Sequence, residues 1–133
     1  MQGLSVLLAS LCEVAARLPW VKPATGGEDT KSESIAAHTD KWNRLAEILR
    51  ERFGSLDEYW EVFDPTQRED PVQCFLSNDI AEIYLDLQDA LKLLTSGAAL
   101  EDIYFDWRFE FREHWSRHAA DALKVTLLVS DKA

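Results

Sequence analysis

The sequence predicts an all-α protein, a four-helix up-and-down bundle with an aromatic-rich connection between its second and third helices. Three observations lead there. Apolar residues recur at spacings of three and four in four separate stretches, which gathers them on one side of a helix. No stretch of any length alternates apolar with polar residues as a half-buried strand does, and no internal repeat is present. The 133 residues, 47% of them hydrophobic, suit one domain over 1–133 with one core.

The first helix is read from Leu4, Leu7, Leu8, Leu11, Ala15 and Leu18, and it ends before Pro19. Its apolar start is not read as an export signal, since no Lys or Arg precedes it and Glu13 follows within a turn. In "LASLC", Leu11 stands where a lipoprotein box needs a small residue. No apolar run approaches the length of a membrane span, so no membrane partner is expected. Residues 19–33, "PWVKPATGGEDTKSE", read as a connection, with Thr30 and Glu33 spaced as a capping box for the second helix. That helix runs to Phe53 with a core face of Ile35, Trp42, Leu45, Ile48 and Leu49, and Gly54 stops it.

The connection that follows, "GSLDEYWEVFDPTQREDPVQCFL", is too long and too aromatic to be structureless inside a small domain. Ser55 and Glu58 have capping-box spacing, so a short helix is expected over "LDEYWEV", its Tyr59, Trp60, Val62 and Phe63 covering one end of the bundle. Asp64 ends it, because Pro65 disfavours helical geometry in the residue before it. Ser77 is the natural N-cap of a third helix carrying Ile80, Ile83, Tyr84, Leu87, Leu91 and Leu94 and reaching Gly97. The fourth and longest helix covers about residues 98–128.

Two blocks of chemistry stand out. His114 and His118 lie four apart in "HWSRH", an interval that aims two imidazoles at one point from a helix. At about 100° per residue, Asp106, Glu110, His114, Arg117, His118 and Asp121 fall in one polar sector amid aromatics. The third helix offers a matching acidic row of Asp79, Glu82, Asp86 and Asp89. In one reading the histidines and the arginines Arg108, Arg112 and Arg117 pair with that row, satisfying groups that are costly to bury alone. In the other, the histidines bind a divalent metal with carboxylates such as Asp79, Asp86 or Asp121. A zinc protease is excluded by Trp115, which stands where the general base belongs. A di-iron carboxylate bundle is excluded because no His has a Glu three residues before it. His38 stands by itself and reads as a half-buried surface residue. Cys12 and Cys74 form no redox or zinc motif and suit a reducing compartment, so a cytoplasmic location is expected.

The blocks "YWEVFDP" (59–65), "LSNDIAEIYLDLQDAL" (76–91) and "WRFEFREHWSRHAADAL" (107–123) resemble those of a bacterial domain-of-unknown-function family of short, acidic, helical proteins. The likeness covers the second half of the chain, with Ser116 where many relatives are expected to have Gly. It implies a helical fold and a bacterial source, and brings no established activity with it.

The formal net charge of −10 is unevenly distributed. Residues 55–106 hold thirteen acids against Arg68 and Lys92, while the flanking segments are close to neutral. Such a field disfavours nucleic acid and anionic membrane and favours a basic protein partner. The reading is therefore a non-catalytic interaction or regulatory domain, without cofactor or catalytic residues, that docks a basic surface. The alternative is a metal-dependent hydrolase using a His/Asp cluster between the third and fourth helices. The candidate binding residues are Tyr59, Trp60 and Asp64 on the connection, Asp79 and Asp86 on the third helix, and His114, Arg117 and His118 on the fourth. Tyr59 or Trp60 is the expected anchor.

Overall fold

A computed structural model describes residues 1–24 and 35–130. The chain is mostly helical and carries a small two-stranded sheet. Helix α1 spans Gln2–Ala16, α2 spans Ile35–Phe53 and α3 spans Leu76–Leu94. The last rod is continuous: α4 (Leu100–Glu110) passes through a π-helical turn at Phe111–Trp115 into α5 (Ser116–Ser130). Four rods thus match the expected number of helices. The capping box at Thr30 and Glu33 lies outside the described residues.

The aromatic connection corrects the expectation of a short helix. Glu58–Glu61 (β1) pairs antiparallel with Val72–Phe75 (β2), Tyr59 opposite Cys74 and Glu61 opposite Val72. Tyr, Trp and Val favour a pleated surface over a helix. What the sequence concealed was the partner strand, which lies beyond a ten-residue loop with no tight-turn signature. Alternation along β1 turns Tyr59 and Glu61 inward and leaves Glu58 and Trp60 exposed. Phe63, exposed beyond the strand, covers no core.

Gly54 ends α2 with a left-handed backbone (φ +56°) and leads through a 3-10 turn at Gly54–Leu56 to Asp57. Asp57 is buried and caps α3 from outside it. One carboxylate oxygen accepts the Ser77 backbone N–H at 2.6 Å and the other accepts the Ser77 hydroxyl at 2.9 Å. The Asp57 carbonyl accepts the Leu76 N–H at 2.8 Å, and Arg50 Nε lies 3.7 Å from its carboxylate. The helix begins at Leu76, one residue before the expected cap, because this remote acid replaces Ser77 in the capping role.

The core joins α1, α3 and α5 through Leu8, Ala15, Leu76, Ile83, Trp115, Ala119 and Ala122, with Phe53 and Leu87 packed against it. Several residues assigned to core faces are exposed instead: Leu7, Ile35, Ile48, Tyr84, Leu91 and Leu94. Fully buried Ala46, Ala81, Ala119 and Ala122 give the reason. Helices that meet at alanine approach closely, so the contact strip is narrow and large side chains at its edges face outward. Trp107 ties α4 to α3 by donating its indole N–H to the Ala90 carbonyl at 3.0 Å. Both cysteines are free.

Replacing Asp57 by Ala strands the Ser77 N–H and hydroxyl in a buried position. We expect a loss of about 2 kcal/mol, read from the urea midpoint at unchanged slope. A loss below about 0.5 kcal/mol would show that α3 does not depend on this cap.

Candidate functional site

The acidic row of α3 meets the two histidines across the α3–α5 interface. His114 lies within the π-helical turn and His118 in the first turn of α5. A π turn holds back the residues after it by roughly one residue, about 100° of rotation. That rotation brings His118 into line with Glu110 and His114 and swings Arg117 off the row, where it is exposed. Phe111 and Trp115, stacked edge to face at 4.6 Å, anchor the same turn in the core.

Each imidazole is held by its Nδ1. His118 Nδ1 lies 2.8 Å from Asp79 Oδ1, and His114 Nδ1 lies 2.5 Å from Asp86 Oδ2. Asp79 is buried, and its second oxygen accepts a short hydrogen bond from the Tyr59 hydroxyl. The rings of His114 and His118 stand nearly perpendicular, 5.2 Å between centroids. His114 Nε2 faces Glu82 Oε2 at 3.4 Å. Asp121 of α5 and Cys74 of β2 flank the Asp79 end, and Lys124 reaches Glu61 at 3.5 Å.

The surroundings set the protonation of the cluster. The hydrogen bond to Asp79 is the main cause raising the His118 pKa above its ordinary 6.5; burial opposes it, and the charges of Asp79, Glu82 and Asp121 reinforce it. Burial raises Asp86 and outweighs the His114 hydrogen bond that pulls the other way. Burial also raises Asp121, with Asp79 and Glu61 adding to it. Tyr59 is pushed far above its normal range by burial and then by Asp79, so its hydroxyl remains a donor. Burial, followed by the nearby acids, raises the Cys74 thiol, which favours its neutral form. The cluster is crowded with acids that lack sufficient positive charge.

Of the residues selected from the sequence, Tyr59, Asp79, Asp86, His114 and His118 come together here. Trp60, 63% exposed, points outward from the hairpin. Asp64 caps the following turn by accepting the Thr66 N–H at 2.9 Å and the Thr66 hydroxyl at 2.6 Å. Those bonds lower its pKa. The arginines do not fill the role given to them: among the described residues no ion pair joins Arg108, Arg112 or Arg117 to the acidic row, and Arg108 Nε is buried without a partner. For Arg117 the π turn is the reason, since it rotates the start of α5 so that His118 rather than Arg117 is held on α3. Glu82 was legible only as one member of the acidic row, and its spacing from Asp79 and Asp86 is what places it beside His114.

The His114 end of the cluster opens on a groove of about 940 Å³ lined from α1, α2, α3 and α4. Leu11, Leu18, Leu87, Leu91, Trp107 and Trp115 supply its apolar surface. Among the described residues its acids are Glu82, Asp86, Asp89, Asp106 and Glu110, and Lys92 is a cation on its wall. No helix among the described residues is long and apolar enough to cross a membrane.

Residues 2–130 match the family described as "Domain of unknown function (DUF5063)", and the chain belongs to that family. No match is found among curated proteins. The fold is similar to the crystal structure of protein BF1032 from Bacteroides fragilis, solved by a structural genomics consortium. The TM-score is 0.70 at 16% identity over 93% of this chain and 71% of that one. At that identity the likeness concerns the fold alone.

The raised His118 pKa carries a defined sign. The pair with Asp79 stabilises the fold fully below the unfolded imidazole value of about 6.5, and the stabilisation is lost as pH rises through the higher folded value. In chelator-treated protein, an NMR titration of His118 should show a midpoint above 6.5 that falls in an Asp79→Asn variant. An unmoved midpoint would remove Asp79 as the cause.

Proposed function

We propose that this chain is a non-catalytic interaction or regulatory domain whose groove receives a basic amphipathic segment of another protein. The observation that carries the reading is the composition of the groove: leucine and tryptophan side chains beneath a margin dominated by carboxylates. An amphipathic helix with apolar residues at intervals of three and four and lysine or arginine beside them matches that surface in shape and sign. Leu91 is 62% exposed and Val14 66% exposed on its walls, an unpartnered apolar surface of the kind that marks binding sites. The net charge of −10 adds long-range attraction for a cationic partner.

A synthetic helical peptide with leucines on one face and lysines elsewhere tests this against a scrambled peptide of equal composition, by calorimetry at low and high salt. The patterned peptide should bind about tenfold tighter than the scramble. Leu91→Asp and Asp89→Lys should each weaken it by a similar factor, and high salt should weaken wild type more than Asp89→Lys. Equal binding of both peptides, or no binding of either, would count against the groove as a docking site.

A further inference from the structure

We propose that His114 Nε2, His118 Nε2 and a carboxylate oxygen of Glu82 form a three-ligand site for a divalent first-row transition metal, with zinc the representative ion. The inference is independent of the peptide-docking reading and rests on how the two imidazoles are held. A histidine that binds metal through one nitrogen almost always donates its other N–H to a carboxylate or carbonyl, which fixes tautomer and ring direction. Here both histidines do so, with Asp86 and Asp79 as acceptors at 2.5 and 2.8 Å. Both Nε2 atoms are thereby left as lone-pair donors in the neutral rings. Asp79 is itself steadied by the Tyr59 hydroxyl, so the support extends one residue deeper, into the hairpin.

The three residues converge. One ligand atom each from Glu82, His114 and His118 lies within 4.8 Å of the others. The 3.4 Å separation of His114 Nε2 and Glu82 Oε2 is long for a hydrogen bond. It matches two ligands of a tetrahedral zinc ion, which sit about 3.4 Å apart when each is about 2.1 Å from the metal. A second set, Asp86, Glu110 and His114, also lies within 4.8 Å, but it shares His114, whose Nδ1 is already engaged by Asp86. Two imidazoles and one carboxylate select zinc, iron, cobalt or nickel over magnesium and calcium, which prefer an all-oxygen shell. Three protein ligands leave a fourth position to water. Glu82 and His114 line the groove, and the His114 side chain is 40% exposed, so that position is reached from the groove. A cation there also supplies the positive charge that the surrounding carboxylates lack.

Calorimetric titration of tag-free, chelator-stripped full chain with zinc chloride tests the site, and cobalt substitution followed by visible absorption reports its geometry. One equivalent should bind, with cobalt bands of four-coordinate intensity. Glu82→Gln and His118→Ala should each weaken zinc by about 10- to 100-fold, and the positioning variant Asp79→Asn by about 10-fold. Glu110→Gln and Leu91→Asp should leave the affinity unchanged, the latter separating this site from peptide docking. Circular dichroism confirms that each variant is folded. Glu82→Gln is the decisive variant, since its partly exposed side chain keeps its size and can be changed without opening the core. Absence of stoichiometric binding, undiminished binding by His118→Ala, or loss in Glu110→Gln with retention in Glu82→Gln would each overturn the proposal.

Discussion

The structure depends on one buried carboxylate, that of Asp79. It accepts from Tyr59 on the hairpin and from His118 on α5, so three segments distant in sequence meet on it. A charge in this position is costly to bury without partners, and its two oxygens are both engaged. The arrangement therefore ties hairpin register to helix packing: slipping β1 by one residue would turn Tyr59 outward and leave Asp79 half-satisfied. Asp57 does the same at the start of α3, where an acid from the preceding turn supplies the cap that the helix itself lacks. The hairpin is thus a clamp on the first turns of α3, joined to α5 as well through Glu61 and Lys124.

The π turn is the second determinant. An uninterrupted α-helix over residues 100–130 would place Arg117 in the row that faces α3. One wide turn moves that arginine out of the row and leaves it to His114 and His118, groups that can give up a proton. Phe111 and Trp115, in edge-to-face contact with each other, pack the irregular turn onto the core. An irregularity at the point where the polar cluster sits is the kind of local departure from regular geometry that accompanies binding sites.

The histidine cluster and the apolar groove are one continuous surface, because Glu82, Asp86 and His114 belong to both. Acids on the groove margin attract cationic groups, whether an ion held by fixed ligands or lysines on a docking helix, and the two are told apart by Leu91 and Asp89 on one side and His118 on the other. Membership in a family defined only as a domain of unknown function, and a fold shared at 16% identity, assign no chemistry to this surface.

The sequence by itself determined the helical class, the ends of α2 at Gly54 and α3 near Gly97, the long final rod and the acidic middle segment. These follow from local rules of periodicity, glycine geometry and charge, each legible within a few turns. It also showed Asp79, Asp86, His114 and His118 as facing rows, since residues on one face of a helix are spaced predictably. Only the tertiary structure decided the rest. The hairpin needed a partner strand ten residues away, the α3 cap came from Asp57 twenty residues back, and the large side chains left exposed followed from alanines that bring the helices close. The exclusion of Arg117 from that row turned on a single π turn, which no residue spacing announces. Each of these is a pairing between segments far apart in the chain, and periodicity within one segment carries no information about its partner.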